Sequence, residues 1–503
     1  MSKTTIYVAS AGTGKTTTLM NLLTECLEDT KPSEIVFTTF TKAGAREAIN
    51  RALVKNPNYQ EKEFTGFSTL HAYCYRRIPR KQMLNYQDYK LMGELTGYPM
   101  TGNSGYFNNT ESTYSCGKGD RLLHYHSLMR NMHKTAEEVL LDQMGTKFTA
   151  DELNDFHRFY TEFREEKNKY DFTDHLEVFL KQQECQPIKY LFVDEAQDLS
   201  PLQWEVIDFL KQDVHKLFIA GDDKQSIYKF SGGDPKSLIE REGDRIVLDT
   251  SYRLPSNILS YAEQIADRIN EKQEYNVQSK NTDGSVHKIR SIVDVDFSQG
   301  TWLILARNKL FLQYFEQQLM KRNILFISSN EDSMFNEKQV HYIKVWNKLR
   351  RGYKIPVSEL KVLYRDYLPS GKVVARGSKN LMDTMPDQEM FDKNELCDKF
   401  GLKTTTEWYN VFKLPDTTKR ILMDAYKNGE LDKTTNIEIT TIHSSKGREA
   451  DNVIVLPDMT PVSYHVLQKD PDNEHRVFYV AATRAKENLY IHSPLTDKFY
   501  TLP

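Results

Sequence analysis

Tyr190-Leu-Phe-Val-Asp-Glu-Ala-Gln-Asp-Leu-Ser200 is the stretch around which the rest of the chain makes sense. Its apolar opening, residues 190–193, fits a buried strand of a parallel sheet. The run ends in three carboxylates and an amide: Asp194, Glu195, Gln197 and Asp198. In open α/β sheets ligands bind outside the carboxyl ends of the strands. Acidic groups there can hold Mg²⁺ and orient a water for attack on a phosphate. An isolated Asp-Glu pair is more commonly an acidic surface loop, so the choice depends on whether the chain carries a phosphate-binding loop elsewhere.

It does, at its start. Residues 4–8 form a short β-prone run, followed at once by Ala9-Ser10-Ala11-Gly12-Thr13-Gly14-Lys15-Thr16 and a helical stretch from 17 to about 27. Gly12 and Gly14 let backbone N–H groups turn toward a phosphate, and the helix N-terminus adds its positive dipole end. Lys15 would reach the β/γ-phosphates and the Thr16 hydroxyl would ligate Mg²⁺. Ala9 stands where the strict pattern has glycine. Joined to the acidic strand end, the loop predicts a nucleoside triphosphatase.

The totals set the frame. At 503 residues and 58.7 kDa the chain exceeds one core, so two to four domains are expected. Hydrophobic content of 39% and charged content of 27% suit a globular protein. No apolar run is long enough to span a bilayer, and Met1-Ser2-Lys3-Thr4 does not open a secretory leader. Cys26, Cys74, Cys116, Cys185 and Cys397 form no Cys-x-x-Cys pair, which argues against zinc or iron–sulfur and for a reducing, cytoplasmic location. A net charge of −3 neither announces nor excludes a nucleic-acid partner, because a local basic groove suffices.

Further strands are expected at 34–39, 64–67, 216–220 and 245–248. The strand ends carry Phe40 and Thr41, then His71, then Gln225, Tyr228 and Phe230, then Tyr252 and Arg253. Hydroxyls, aromatics and basic residues at strand ends suit a single-strand track of phosphate contacts and stacking faces. Taken singly, each stretch is ordinary loop chemistry. Residues 97–120 look like a long loop inside an insertion. The aromatics of 150–170 fit a helix core better than base stacking, and His175 fits packing or capping. A second α/β rhythm starts near 286, with strands at 302–306 and 324–327 around a helix at 309–322. Residues 330–433 break it with helices at 340–349 and 357–364 and a polar middle at 371–392. It resumes with strands at 437–442 and 452–455, a helix at 474–485 and a strand at 488–492.

Taken in order, Asp-Glu-Ala-Gln-Asp, Gly221-Asp-Asp-Lys-Gln-Ser-Ile-Tyr228, Tyr252-Arg253, Thr441-Ile-His-Ser-Ser-Lys-Gly447 and Tyr479-Val-Ala-Ala-Thr-Arg-Ala485 resemble the UvrD/Rep/PcrA family of superfamily 1 DNA helicases. The resemblance covers roughly three-fifths of the chain. It implies two RecA-like parallel-sheet domains, each with an inserted, mainly helical subdomain: 1–80 with 171–250, interrupted by 81–170, and 251–329 with 434–503, interrupted by 330–433. It also implies an ATP- and Mg²⁺-dependent enzyme that moves 3′→5′ on single-stranded DNA and opens junctions. Residues 9–16 would hold the phosphates, and Thr16 and Asp194 the metal. Glu195 would be the general base, Gln225 a γ-phosphate sensor, and Arg253 and Arg484 would stabilise the transferring phosphoryl group. Tyr252 would stack on adenine and Glu449 contact the ribose. Phe40, Thr41, His71, Tyr228, Phe230 and His443 would line the DNA.

Ser231, Phe230 and Arg448 stand where the family often has Arg, Trp and Leu. The chain begins too late for the family's adenine-reading glutamine segment, so relaxed base selectivity is expected. Short insertions point to a reduced version, such as a virus or mobile element encodes, which would place it in host cytoplasm. The alternative function is a DNA-stimulated ATPase or translocase subunit of a replication, repair, recombination or defence complex, without unwinding of its own.

Overall fold

The computed structural model describes residues 3–102, 117–142, 148–182, 187–212, 214–322, 324–329, 337–427 and 436–503. Cys116, Cys185 and most of the loop expected at 97–120 lie outside them. By compactness the chain divides into two units, one of residues 1–288, 445–449 and 455–503, the other of residues 289–444 and 450–454.

In the first unit six strands form one sheet: β1 Lys3–Ala9, β2 Ile35–Thr38, β3 Phe67–Ser68, β4 Tyr190–Val193, β5 Lys216–Gly221 and β6 Asp244–Leu248. Their order is β3-β2-β4-β5-β1-β6, and every pair is parallel. β4 explains why its sequence is apolar throughout. Tyr190 and Phe192 face a layer built with Leu19, Leu23, Phe37 and Phe218. Leu191 and Val193 face the opposite layer with Leu176, Val206 and Ile207. Alternate residues point to opposite faces, and both faces are covered. The register pairs Thr38 with Val193, Val193 with Ile219 and Val8 with Gly221. The loops that follow β1, β2, β4 and β5 therefore emerge along one edge.

Between residues 81 and 170 the described residues include helices Tyr86–Thr96, Lys118–Met132, Ala136–Asp142 and Ala150–Glu166. Phe156, Tyr160 and Phe163 are buried in their common core, as helical spacing required. Lys118 already opens a helix, so the end of the expected loop is ordered by helix packing. Buried Arg130 ties these helices to the next segment through Asp171 (2.5 Å), Asp174 (2.6 Å) and Glu177 (2.8 Å). The strand expected at 64–67 is only Phe67–Ser68, because the N–H of Phe64 closes a turn onto Glu61.

Two differences bear on the site. Thr250–Pro255 is a strand, paired with Gln278–Asn281. The helix expected at 474–485 is Pro471–Ala482, so Arg484 sits in the turn before strand Ala485–His492. There the Thr483 hydroxyl and the Arg484 Nε both donate to the Val480 carbonyl, side-chain bonds that compete with continued helix.

The second unit contributes to another six-stranded sheet, in which Ile327–Ser328, Ile437–Thr441, Trp302–Ala306 and Ala450–Leu456 are successive neighbours. Trp302 to Ala306 pair in parallel with Ile437 to Thr441. The strand expected at 324–327 is reduced to Ile327–Ser328, the two residues that find partners. Residues 337–427 hold helices Glu337–Arg350, Val357–Val362, Ser378–Asp383, Lys393–Phe400, Trp408–Val411 and Asp416–Lys427; Trp346 and Trp408 are fully buried, Trp346 against Phe412 and Trp408 against Phe412 and Tyr426. Ser378–Asp383 lies in the stretch expected to be a polar middle. Arg350 binds Glu407 with two bonds of 2.6 and 2.7 Å. The mixed α/β architecture is that of two RecA-like cores.

Candidate active site and nucleic-acid interface

The phosphate loop follows β1 and opens helix α1, Lys15–Cys26. Gly12 and Gly14 adopt φ of 75° and 84°, the left-handed region that favours glycine. Gly14 caps the helix with no side chain, so nothing of its own competes for the first-turn N–H groups. The loop is braced from outside. The Ser251 hydroxyl donates to the Ala11 carbonyl at 2.9 Å, and the Tyr252 N–H donates to the Gly12 carbonyl at 2.9 Å. The Tyr275 hydroxyl donates to the Ala9 carbonyl at 2.7 Å. The Tyr479 and Ser10 hydroxyls share a bond of 2.7 Å. Thr13 bonds back to the Ser10 carbonyl.

The acidic end of β4 meets the loop directly. The Thr16 hydroxyl donates to Asp194 Oδ2 at 2.8 Å. Burial and then the neighbouring Glu195 push Asp194 up to about 6. Burial also pushes Glu195 up, but Lys15, Lys446, the Gln197 amide and Arg484 outweigh it and hold Glu195 below the usual carboxylate range. The environments split the two carboxyls, leaving Glu195 ionised. Glu195 has a φ of 56°, a costly conformation for a residue with a Cβ. Gln197 donates to Glu195 Oε2 at 2.6 Å.

Gln225 joins this edge to the far end of the chain. Its amide donates to Asp222 Oδ2 at 2.6 Å, and its carbonyl oxygen accepts from Arg484 Nη2 at 2.9 Å. Asp222 Oδ2 lies 3.9 Å from Lys15 Nζ. A continuous polar chain thus runs Lys15, Asp222, Gln225, Arg484. Arg484 is 2% exposed. Burial and then Arg253 lower it to about 10, so it stays charged at neutral pH. Arg253 Nε pairs with Glu449 at 2.5 Å, and Lys486 holds the other oxygen of Glu449 at 2.9 Å. The Tyr252 ring is 63% exposed beside the loop, with the Lys280 ammonium 5.0 Å from its centroid.

Of the residues expected on DNA, Phe40 and Tyr228 stack at 4.8 Å and 14°, and Phe230 meets Tyr228 edge-on at 5.9 Å. The Thr41 hydroxyl caps helix Lys42–Lys55 by accepting from the Gly44 N–H. His71 stacks on Phe172 at 4.4 Å; burial and His175 depress it to about 3, so it is neutral. His175 itself packs, with Tyr75 at 4.7 Å and Phe172 at 5.4 Å. His443 is buried in the second unit.

Several residues of this network, among them Asp222, Ser251, Tyr275, Tyr479 and Lys446, were given no role in the sequence reading. Tyr479 and Lys446 lie within the Tyr479–Ala485 and Thr441–Gly447 motifs, but nothing in those runs says which distant partner each side chain meets.

The loop, the helix it opens and the acidic strand end define a P-loop nucleotide-binding protein. Residues 1–245 match the UvrD/REP helicase N-terminal domain, and residues 389–494 the UvrD-like helicase C-terminal domain. The chain is 24% identical to a probable DNA helicase II homolog of Mycoplasma genitalium, across 97% of this chain and 82% of that one. It is 21% identical to the ATP-dependent DNA helicase PcrA of Staphylococcus aureus, across 97% and 80%. A solved structure titled as that of the PRRSV helicase is similar at 12% identity and a TM-score of 0.35; the match covers 99% of this chain and spans 55% of the length of that one. The chain belongs to the UvrD/PcrA-like DNA helicases of superfamily 1.

Proposed function

We propose that the chain hydrolyses ATP to move 3′→5′ along single-stranded DNA and to open duplex at junctions. The observation that carries this is the polar chain from Lys15 through Asp222 and Gln225 to Arg484, beside the Thr16–Asp194 bond and within one compact unit. Polarity rests on the family resemblance alone.

The residues present fit a magnesium nucleotide. Gly12 and Gly14 hold the positive φ that lets the loop's N–H groups turn toward a phosphate, and Thr16 and Asp194 offer a hydroxyl and a carboxylate oxygen, the hard donors Mg²⁺ takes. Mg²⁺, when bound, neutralises charge on the phosphate oxygens. Glu195, ionised and oriented by Gln197, accepts hydrogen bonding from the attacking water. Lys15, Arg253 and Arg484 place positive charge where the phosphoryl group gains negative charge; a single arginine so placed is worth about 10³–10⁵ in rate. Tyr252 offers a face for the base. On the DNA side Phe40, Tyr228 and Phe230 provide stacking surface worth about 1–3 kcal/mol per base.

ATP turnover with and without single-stranded DNA, beside strand displacement on 3′- and 5′-tailed duplexes, tests the proposal. Turnover stimulated by DNA with displacement of the 3′-tailed substrate is expected. Turnover indifferent to DNA would refute it. Stimulation without displacement on either substrate would favour a translocase subunit.

A further inference from the structure

We propose that Lys446 and Asp198 are positioning residues that carry the effect of a base stacked on Tyr228 to Glu195 and Gln225. The inference rests on the roles proposed above for Glu195 and Tyr228.

The Lys446 side chain is 8% exposed, and its ammonium has three partners. It bonds Asp198 Oδ2, donates to the Gln225 carbonyl at 2.7 Å, and lies 4.9 Å from the centroid of the Tyr228 ring. One charge therefore touches the DNA-side aromatic, the loop of the γ-phosphate sensor and the acidic strand end. A cation over a ring face is attracted by its quadrupole, more strongly when desolvated.

Asp198 is 2% exposed, yet its Oδ1 has no hydrogen-bond partner among the described residues. A buried acceptor left unpaired is costly. Its other oxygen depends on Lys446, with a long 3.5 Å contact from the Gln197 amide. That same amide holds Glu195 at 2.6 Å, and the Gln197 side-chain carbonyl accepts from the Asp222 N–H at 3.0 Å. Gln197 thus links Asp198 to the general base and to the carboxylate that fixes Gln225. Burial, then Lys446 acting against it and Glu195 acting with it, set Asp198 at about 7. Its charge is therefore poised by where the ammonium stands.

Tyr228 supplies the input. Phe40 and Tyr228 are in stacking contact at 4.8 Å. Carbon contacts need about 3.5–4.0 Å each, so a base entering between the rings must part them. In that parting, movement of Tyr228 shifts its ring against the ammonium. The remaining partners of Lys446, Asp198 and the Gln225 carbonyl, both belong to the hydrolytic edge, so a displaced ring changes the charge beside Glu195 and the tether on Gln225.

The test is ATP turnover with and without saturating oligothymidylate, and the oligothymidylate Kd, in the full-length protein and in Lys446→Met, Lys446→Arg and Asp198→Asn. In Lys446→Met the ratio of stimulated to unstimulated turnover should fall by about tenfold or more, as for loss of one charge-assisted hydrogen bond. The Kd should change far less than the ratio. Lys446→Arg should recover part of the ratio, a rescue that simple loss of fold would not give. Asp198→Asn, nearly isosteric, should lose the ratio alike, and the Met/Asn double variant should lose no more than the worse single, because the two act in one line. A ratio kept in both single variants, or one that falls only in step with DNA affinity, would overturn the inference. A wild-type protein unstimulated by DNA would instead defeat the underlying reading, before any variant is compared.

Discussion

A methyl group added at Gly12 and one added at Gly14 should differ sharply in cost. Both residues sit at positive φ, 75° and 84°, and alanine there pays about 1–2 kcal/mol of backbone strain. The space around them differs. A Cβ on Gly12 would stand 2.5 Å from Arg253 Cβ and 2.8 Å from Ser251 Oγ. Neither can yield cheaply: the Ser251 hydroxyl bonds both Ala11 and the Leu254 N–H, and Arg253 is held by its strand and by Glu449. A Cβ on Gly14 would meet only Thr17, at 4.0 Å. Gly12→Ala therefore adds an overpacking cost of about 1–3 kcal/mol that Gly14→Ala lacks. The first unit has about 340 residues, for which 1 kcal/mol moves Tm by about 1.4 °C. Scanning calorimetry without nucleotide should show Gly12→Ala melting about 1–4 °C below Gly14→Ala. Nucleotide is left out because a bound ligand would add its own stabilisation to the melting temperature. Equal melting temperatures, or a less stable Gly14 variant, would refute the argument that the Thr250–Pro255 strand bears on the loop.

Other outcomes follow from the same geometry. Lys15→Ala should abolish ATP turnover, and a rate near wild type would remove Lys15 from the phosphate. Arg484→Ala should cut kcat by about 10³-fold or more with a smaller effect on nucleotide binding; unchanged kcat would refute its place. Tyr228→Ala should weaken single-strand binding by about 1–3 kcal/mol at all sequences alike, and a loss confined to one sequence would count against stacking. Asp198, held at about 7 in the fold against about 3.9 in the unfolded chain, keeps a proton that the unfolded state has lost. Its contribution to stability is full below the lower value and disappears as pH rises through about 7. Asp198→Asn removes that dependence, so Tm of the variant minus Tm of the wild type should rise from pH 4 to pH 7.5; a flat or falling difference would refute the assignment.

The phosphate loop was legible because its demands are local. Two glycines at positive φ, a lysine and a hydroxyl opening a helix can be read from adjacent residues, as can the apolar run 190–193 ending in carboxylates. Helix ends were less legible. Arg484 was placed inside a helix because 474–485 reads as one continuous run containing the strong helix formers Ala481 and Ala482, but side-chain bonds to the Val480 carbonyl stop it earlier. The Thr250–Pro255 strand was missed because its apolar content is low, and its pairing with Gln278–Asn281 organises it.

The sequence by itself determined that a phosphate loop and an acidic strand end exist, and that the order of motifs is that of a UvrD-like helicase. Those are properties of neighbouring residues and of their succession. Only the tertiary structure decided which distant side chains meet: Tyr479 at Ser10, Arg484 at Gln225, Lys446 at Asp198. The physical reason is that a hydrogen bond between residues hundreds apart leaves no periodicity in the chain. It is fixed by parallel register along one sheet edge and by burial, which makes each unpaired charge costly enough to demand its partner.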